Sequence, residues 1–199
     1  MIKAILTILI IFLLQIESNS QNCVLLDSLN SFHGLKFGED IKQSKAKSMT
    51  KLLSDIYYFE ELNKKSDVYF NLTHFLNHSF DDIYISCTKE RKIYSFRLKS
   101  YLTEIDSLYL KKNKMPASFE SLFENLENIY GNYTNEKIKK DTITFLLGDE
   151  YIYTWECQRV KIICSINIGN KVPTFNGINL EIVDKELERK AKIESIQED

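Results

Sequence analysis

Alternation of apolar and polar residues through the second half is the feature that most limits what this chain can fold into. Ile143, Phe145 and Leu147 alternate, and Gly148-Asp149 then turns the chain. Tyr151, Tyr153, Trp155 and Cys157 follow in the same way. Val160, Ile162, Cys164, Ile166 and Ile168 come next, before Gly169-Asn170 breaks the run, and Ile178, Leu180 and Ile182 form a last segment. A period of two places one set of side chains on one face of a strand. These segments therefore predict antiparallel strands with one buried face. The two-residue link Gln158-Arg159 sets Cys157 opposite Val160, Trp155 opposite Ile162 and Tyr153 opposite Cys164. This register keeps the apolar residues of both strands together.

The first half reads less uniformly. His33 to Gly38 is a short strand ending in Gly, with Leu35 and Phe37 on one face. Glu39 and Asp40 suit the first turn of a helix, and Ile41, Met49, Leu52, Leu53 and Ile56 recur at helical spacing. A helix is expected from about Glu39 to Leu53. Val68, Phe70 and Leu72 alternate as a strand would. Ile83, Ile85 and Cys87 share one strand face and Tyr94, Phe96 and Leu98 another, with Lys89 to Lys92 as the charged connection. Lys111 to Pro116 is a polar connector. Ser118 is expected to cap a helix whose stripe is Phe119, Leu122, Phe123, Leu126, Ile129 and Tyr130, closed by Gly131. The tail from Asp184 is charged, with Glu186/Lys190 and Glu188/Lys192 at helical pairing distance.

The N-terminus places the chain outside the cytoplasm. Lys3 precedes the apolar run Ala4 to Leu14, and Ser18 and Ser20 stand at the positions a signal peptidase reads. Residues 1–20 are thus read as a cleavable signal peptide, with Gln21 as the new N-terminus. The run is shorter than the roughly 20 apolar residues of a membrane span, so no integral segment is expected after cleavage. Cys23 lacks the flanks of a bacterial lipid-attachment site, holding Asn22 and Ser20 where small and aliphatic residues belong. Residues 21–199 are long enough for one domain that buries about 70% of its unfolded surface. The formal net charge of −2 gives no case for nucleic acid. Cys23, Cys87, Cys157 and Cys164 all follow the leader. In an oxidising compartment an even count favours a disulfide, and three connectivities are open. The register above separates Cys157 from Cys164 by about 14 Å along the ladder, too far to bond directly. Any bond should involve Cys23 or Cys87.

Few residues suggest chemistry. His74 and His78 stand four apart, and Asp81 or Asp82 would complete a metal site if all converged. The general-base Glu of a zinc-protease helix is missing, since Phe75 follows His74. No catalytic motif and no cofactor fingerprint is present, and by alternation Cys87, Cys157 and Cys164 face the apolar side, where thiols are inert. Tyr151, Tyr153 and Trp155 form an aromatic row of the kind that binds sugars or peptides, though such rows are commonly the half-buried face of a sheet. Asn71, Asn77 and Asn132 begin N-glycosylation sequons, and Asp27-Ser28-Leu29, Asp106-Ser107-Leu108 and Asp141-Thr142-Ile143 match a short O-glycosylation triplet.

Two halves share one pattern, a helix followed by strands, over about 34–102 and 117–183, with a charged C-terminal helix over 184–199. The fold class is α+β, with helices packed on one face of an antiparallel sheet in two tandem units. The early Cys followed by SFHGLKFG, the helix ending in IYG and the TWEC strand resemble a group of uncharacterised exported proteins of Gram-negative bacteria. Phe32 to Gly38, Tyr130-Gly131 and Thr154 to Cys157 carry this resemblance. It implies a helix-plus-sheet unit used twice and supplies no catalytic residues. The layout also resembles small bacterial inhibitor and envelope-assembly domains at the level of fold, which assigns no activity. The expectation is a periplasmic or secreted, non-enzymatic binding module whose partner is a protein or another envelope component. The alternative is a metal-dependent hydrolase using His74, His78 and Asp81 or Asp82.

Overall fold

A computed structural model describes residues 22–52, 55–60, 64, 66–103, 115–139, 149–168 and 177–196. Residues 1–20, the connector 111–114 and the strand expected at Ile143 to Leu147 lie outside them. The chain is mixed α+β. One antiparallel sheet of eight strands dominates, in the order β3 (Thr50–Lys51), β4 (Ile56–Tyr58), β7 (Asp82–Cys87), β8 (Ile93–Tyr101), β12 (Gly177–Asp184), β11 (Val160–Ile168), β10 (Asp149–Glu156) and β9 (Asn135–Lys139). Two small hairpins accompany it, β1 (Ser31–Phe32) with β2 (Leu35–Lys36), and β5 (His74–Phe75) with β6 (His78–Ser79). The described helices are α1 (Cys23–Asp27), α2 (Asp67–Leu72), α3 (Ala117–Tyr130) and α4 (Lys185–Ile196).

The strand order describes two four-stranded meanders. Their last strands, β8 and β12, pair antiparallel at the centre. Alternation then sorts the side chains. The row Tyr57, Ile85, Phe96, Ile182, Ile162 and Trp155 crosses six strands, and every member is buried. The expected register of β10 and β11 is the one found. Trp155 stands opposite Ile162 and Tyr153 opposite Cys164, while the Cys157 N–H donates to the Val160 carbonyl.

Helix α3 packs on this inner face. Phe119, Leu122, Leu126 and Tyr130 are buried, and the Phe123 ring lies 4.7 Å from Tyr153 and 5.6 Å from Trp155. Pro116, not Ser118, holds its N-cap position, and no side chain caps it there. Over the other half, the rings of Phe32 and Phe37 stand 5.3 and 5.2 Å from Phe96. Helix α4 buries no side chain. Its ion pairs reach Lys161 from Glu188 and Glu156 from Lys185. Both sheet residues alternate to the side away from Ile162 and Trp155. The expected Glu188–Lys192 pair forms at 2.9 Å, but Lys190 pairs with Glu90 rather than Glu186.

Three local expectations fail for identifiable reasons. Of the helix expected from Glu39 to Leu53, residues 39–52 are described, and they are not a helix. Only Ile41–Gln43 makes a 3-10 turn, and Thr50–Lys51 is a strand. Ser44 donates to the Ile41 carbonyl and accepts from the Ala46 N–H, satisfying the backbone locally and competing with helix propagation. Bonds from the Gly38 and Ile41 N–H groups to the carbonyls of Ile93 and Arg91 then hold the segment beside the β7–β8 turn. Val68, Phe70 and Leu72 lie on α2, not a strand. Ser66 caps that helix through the Tyr69 N–H, and Val68 and Leu72 meet the core at helical spacing while Phe70 is exposed. His33 and Gly34 are the left-handed turn of a tight hairpin rather than part of a strand.

Candidate functional site

The outward face of the large sheet is the most extended site the described residues form. A straight row crosses all eight strands: Thr50, Tyr58, Tyr84, Arg97, Glu181, Ile163, Thr154 and Asn135. No member of this row is buried, whereas the inner row one residue along is buried across the six strands from Tyr57 to Trp155. A second outward row runs Asp82, Lys99, Asn179, Ser165, Ile152 and Lys137. The same alternation that builds the core therefore presents tyrosine, arginine and isoleucine to solvent on the opposite side.

Two depressions mark this face. The first has a volume of about 430 Å3 and a floor that includes Ile152, Ile163 and Thr154. Ion pairs bound it on two sides. Arg97 approaches both Glu181 carboxylate oxygens at 3.2 and 3.3 Å, and Ser95 donates to the same group at 2.7 Å. On the other side Lys139 and Ser165 each donate to Glu150 at 3.1 Å. The charges compensate, so the depression offers apolar contact between two neutralised walls.

The second depression, of about 400 Å3, lies toward β4. Tyr58, Tyr69, Tyr84 and Tyr101 line it with Phe59, Glu60, Lys64 and Asp82. Asp82 accepts from the Tyr101 hydroxyl at 3.0 Å and from the Lys64 ammonium at 2.8 Å. Burial, aided by the Asp82 carboxylate, pushes the Tyr101 phenol up to about 12. Burial also raises Tyr84, again with help from Asp82. These phenols keep their protons across the physiological range.

The metal reading of His74, His78, Asp81 and Asp82 fails on geometry. The two histidines lie on the β5–β6 hairpin, where Leu76 and Asn77 take left-handed turn conformations, so helical spacing does not apply. His74 Nδ1 is 2.7 Å from the Phe70 carbonyl oxygen, and His78 Nε2 is 3.3 Å from Ser100 Oγ. Asp81 accepts from the Tyr101 N–H, and Asp82 is held as described. Among the described residues no group of three or more His, Cys, Asp or Glu side chains is placed to hold a metal.

The aromatic row Tyr151, Tyr153 and Trp155 faces inward. Trp155 is fully buried and donates from Nε1 to the Gly131 carbonyl at 2.7 Å. Tyr153 sits among Phe119, Phe123 and Tyr133, and its phenol rises to about 12 through burial and then Glu136. Cys23 and Cys157 form a disulfide, with Cα atoms 5.4 Å apart. Cys157 and Cys164 are not bonded to each other, as the register requires. Cys87 and Cys164 are buried free thiols, each pushed up to about 12 chiefly by burial, which keeps them protonated and unreactive.

The disulfide has a polar companion. The Asp27 carboxylate accepts from the backbone N–H groups of Gln158, Arg159 and Val160 at 3.1, 2.9 and 3.0 Å. Burial works against this charge, but the three N–H donors and Lys185 outweigh it and hold the group below its ordinary value. The β10–β11 turn is thus clamped to α1 by one covalent bond and three hydrogen bonds. Sequence reasoning allowed the disulfide, with Cys23 or Cys87 as the partner of Cys157, but missed the Asp27 hydrogen bonds. It also missed the outward row, because polar residues between apolar ones read simply as solvated. No helix of the described residues is long and apolar enough to cross a membrane. No family model, no curated protein and no solved structure matches this chain.

Proposed function

We propose that this chain is an exported, non-enzymatic binding module that meets a protein of the cell envelope with the outward face of its eight-stranded sheet. The observation that carries this reading is the solvent-reachable row Tyr58, Tyr84, Arg97, Glu181, Ile163 and Thr154. Tyr and Arg are the side chains that most often anchor interfaces, and they need a rigid, pre-ordered support. An antiparallel sheet packed on one side supplies that support. The neutralised walls around Ile152 and Ile163 favour a partner that inserts an apolar side chain there.

Export fits the leader and the early cysteine, since a disulfide tied to residue 23 persists in an oxidising compartment. We read the two meanders as tandem units whose pairing through β8 and β12 doubles the face available to a partner. The inner face is then the side that α3 and the β1–β2 hairpin cover, while α4 pairs with Lys161 and Glu156 on the other side. The test uses the chain beginning at Gln21, immobilised and exposed to an envelope extract of its own host. Ile163→Lys and Arg97→Ala should abolish or weaken retention of the same captured protein. Equal retention by both variants sinks the assignment of this face.

A further inference from the structure

We propose that the tyrosine-lined depression beside β4 is a saccharide site that takes a neutral sugar of one or two rings. It rests on the reading of the outward face as a binding face, because Tyr58, Tyr84 and Tyr101 stand on that face. It does not depend on a protein docking over Ile152 and Ile163.

The pocket gathers four of the chain's eleven tyrosines from four separate elements, β4, α2, β7 and β8. Its volume of about 400 Å3 is at the small end for ligand sites, which suits a compact ring rather than a long chain. Phenol rings offer flat apolar surface for the C–H faces of a sugar and hydroxyls for its polar edge. Tyr101 and Tyr69 are already fixed, the first on Asp82 and the second on the Asp81 carbonyl. The Tyr58 and Tyr84 hydroxyls have no hydrogen-bond partner among the described residues. They remain to serve a ligand, and the raised Tyr84 phenol stays a donor at neutral pH.

The charges decide between ligand classes. Glu60 and Asp82 both line the pocket and oppose an anion. A cation would meet the Lys64 ammonium, already seated on Asp82, and the Lys99 ammonium, 4.6 Å from the centre of the Tyr101 ring. A wholly apolar ligand would strand the carboxylates and phenols away from water. A neutral, polyhydroxylated ring avoids all three costs. It can accept from the phenols and donate to Asp82 and Glu60.

The test titrates the chain beginning at Gln21 with the neutral two-ring sugars maltose, cellobiose and N,N′-diacetylchitobiose, following tyrosine-ring NMR signals. Arginine methyl ester and inorganic phosphate serve as the cationic and anionic probes. At least one saccharide should shift the rings of Tyr58, Tyr84 and Tyr101 at millimolar concentration, more strongly than either charged probe. Tyr84→Ala should weaken that binding about tenfold or more. Tyr84→Phe, which keeps the ring and the packing, separates loss of the hydroxyl from loss of fold. Asp82→Asn should weaken it as well, and Ile163→Lys should leave it unchanged. The proposal is overturned if no saccharide shifts these rings, if a charged probe binds more tightly, or if both Tyr84 variants bind as the parent does. Retained protein capture with no saccharide binding would overturn this inference alone.

Discussion

Removing the sulfur of Cys23 is the cleanest perturbation of this fold. Cys157 is 8% exposed, so truncating it would also leave a cavity, whereas Cys23 is exposed and its loss is almost purely the loss of a cross-link. The bond spans 134 residues. In the chain-entropy model a loop of that length removes about 17 cal/mol/K from the unfolded chain, or about 5 kcal/mol at 25 °C. That is an upper figure, because real cross-links commonly deliver less. The Asp27 carboxylate also still binds the turn at residues 158–160 when the sulfur is gone. A loss of about 2–5 kcal/mol is therefore expected for Cys23→Ala.

Urea melts of the oxidised parent and of Cys23→Ala, each beginning at Gln21, measure this directly. A second signature should accompany the shift in midpoint. The cross-linked unfolded chain is more compact and exposes less new surface, so the variant should melt with the steeper denaturant dependence. A free-energy change below about 1 kcal/mol with unchanged slope would refute the argument. It would mean that α1 is not fixed to the β10–β11 turn in solution.

Three further outcomes follow from the same geometry. Asp27→Asn should cost roughly 1–3 kcal/mol at neutral pH by weakening the charge-assisted bonds to three N–H groups. The folded carboxyl is held below its ordinary value, so its contribution is fully present above about pH 4 and lost as pH falls through the folded value; melts of the parent should soften in that acid window more than those of the Asn variant, which keeps only the other lowered carboxylates such as Glu188. Leu122→Ala should cost roughly 2–5 kcal/mol, because the side chain is 1% exposed beneath α3, and a loss below about half a kcal/mol in the same melts would put that stripe outside the core. Intact mass of protein from the native host should correspond to a chain starting at Gln21 with no acyl group on Cys23, whose sulfur cannot carry both a lipid and a disulfide; retained residues 1–20 or added acyl mass would contradict it.

Strands β10 and β11 were legible down to individual cross-strand pairs. Their alternation is long and the link between them is short, so few registers keep one face apolar. The first half defeats the same reading through irregularity. Ser86 stands opposite Ser95 and Cys87 opposite Ile93, so Tyr94 is an extra residue in a bulge. The bulge flips parity, putting Ile93 in the core where alternation alone assigns Tyr94. Similarly, the sequence has apolar residues near helical intervals from Ile41 to Leu52, but Ser44 and the β7–β8 turn satisfy the backbone around Gly38 to Ala46 instead.

The candidate site was illegible for a different reason. Its row exists only because β8 pairs with β12, and Arg97 and Glu181 meet across 84 positions of sequence. No local signal reports that pairing. Nor does the ion pair itself enforce it. The Arg97 side chain is 48% exposed, and pairs of that kind contribute about 0–1 kcal/mol. What joins the strands is the opposite side, where Phe96 faces Ile182 and Leu98 faces Leu180, all buried. Each fully buried side chain of this type contributes about 1.5–3 kcal/mol. The inner face thus determines the register, and the outer face is left free of that duty. Its tyrosines, arginine and isoleucines are not needed to close the sheet. Replacing Arg97, Ile163 or Tyr84 should therefore change binding while leaving stability nearly intact, which separates the two faces by experiment.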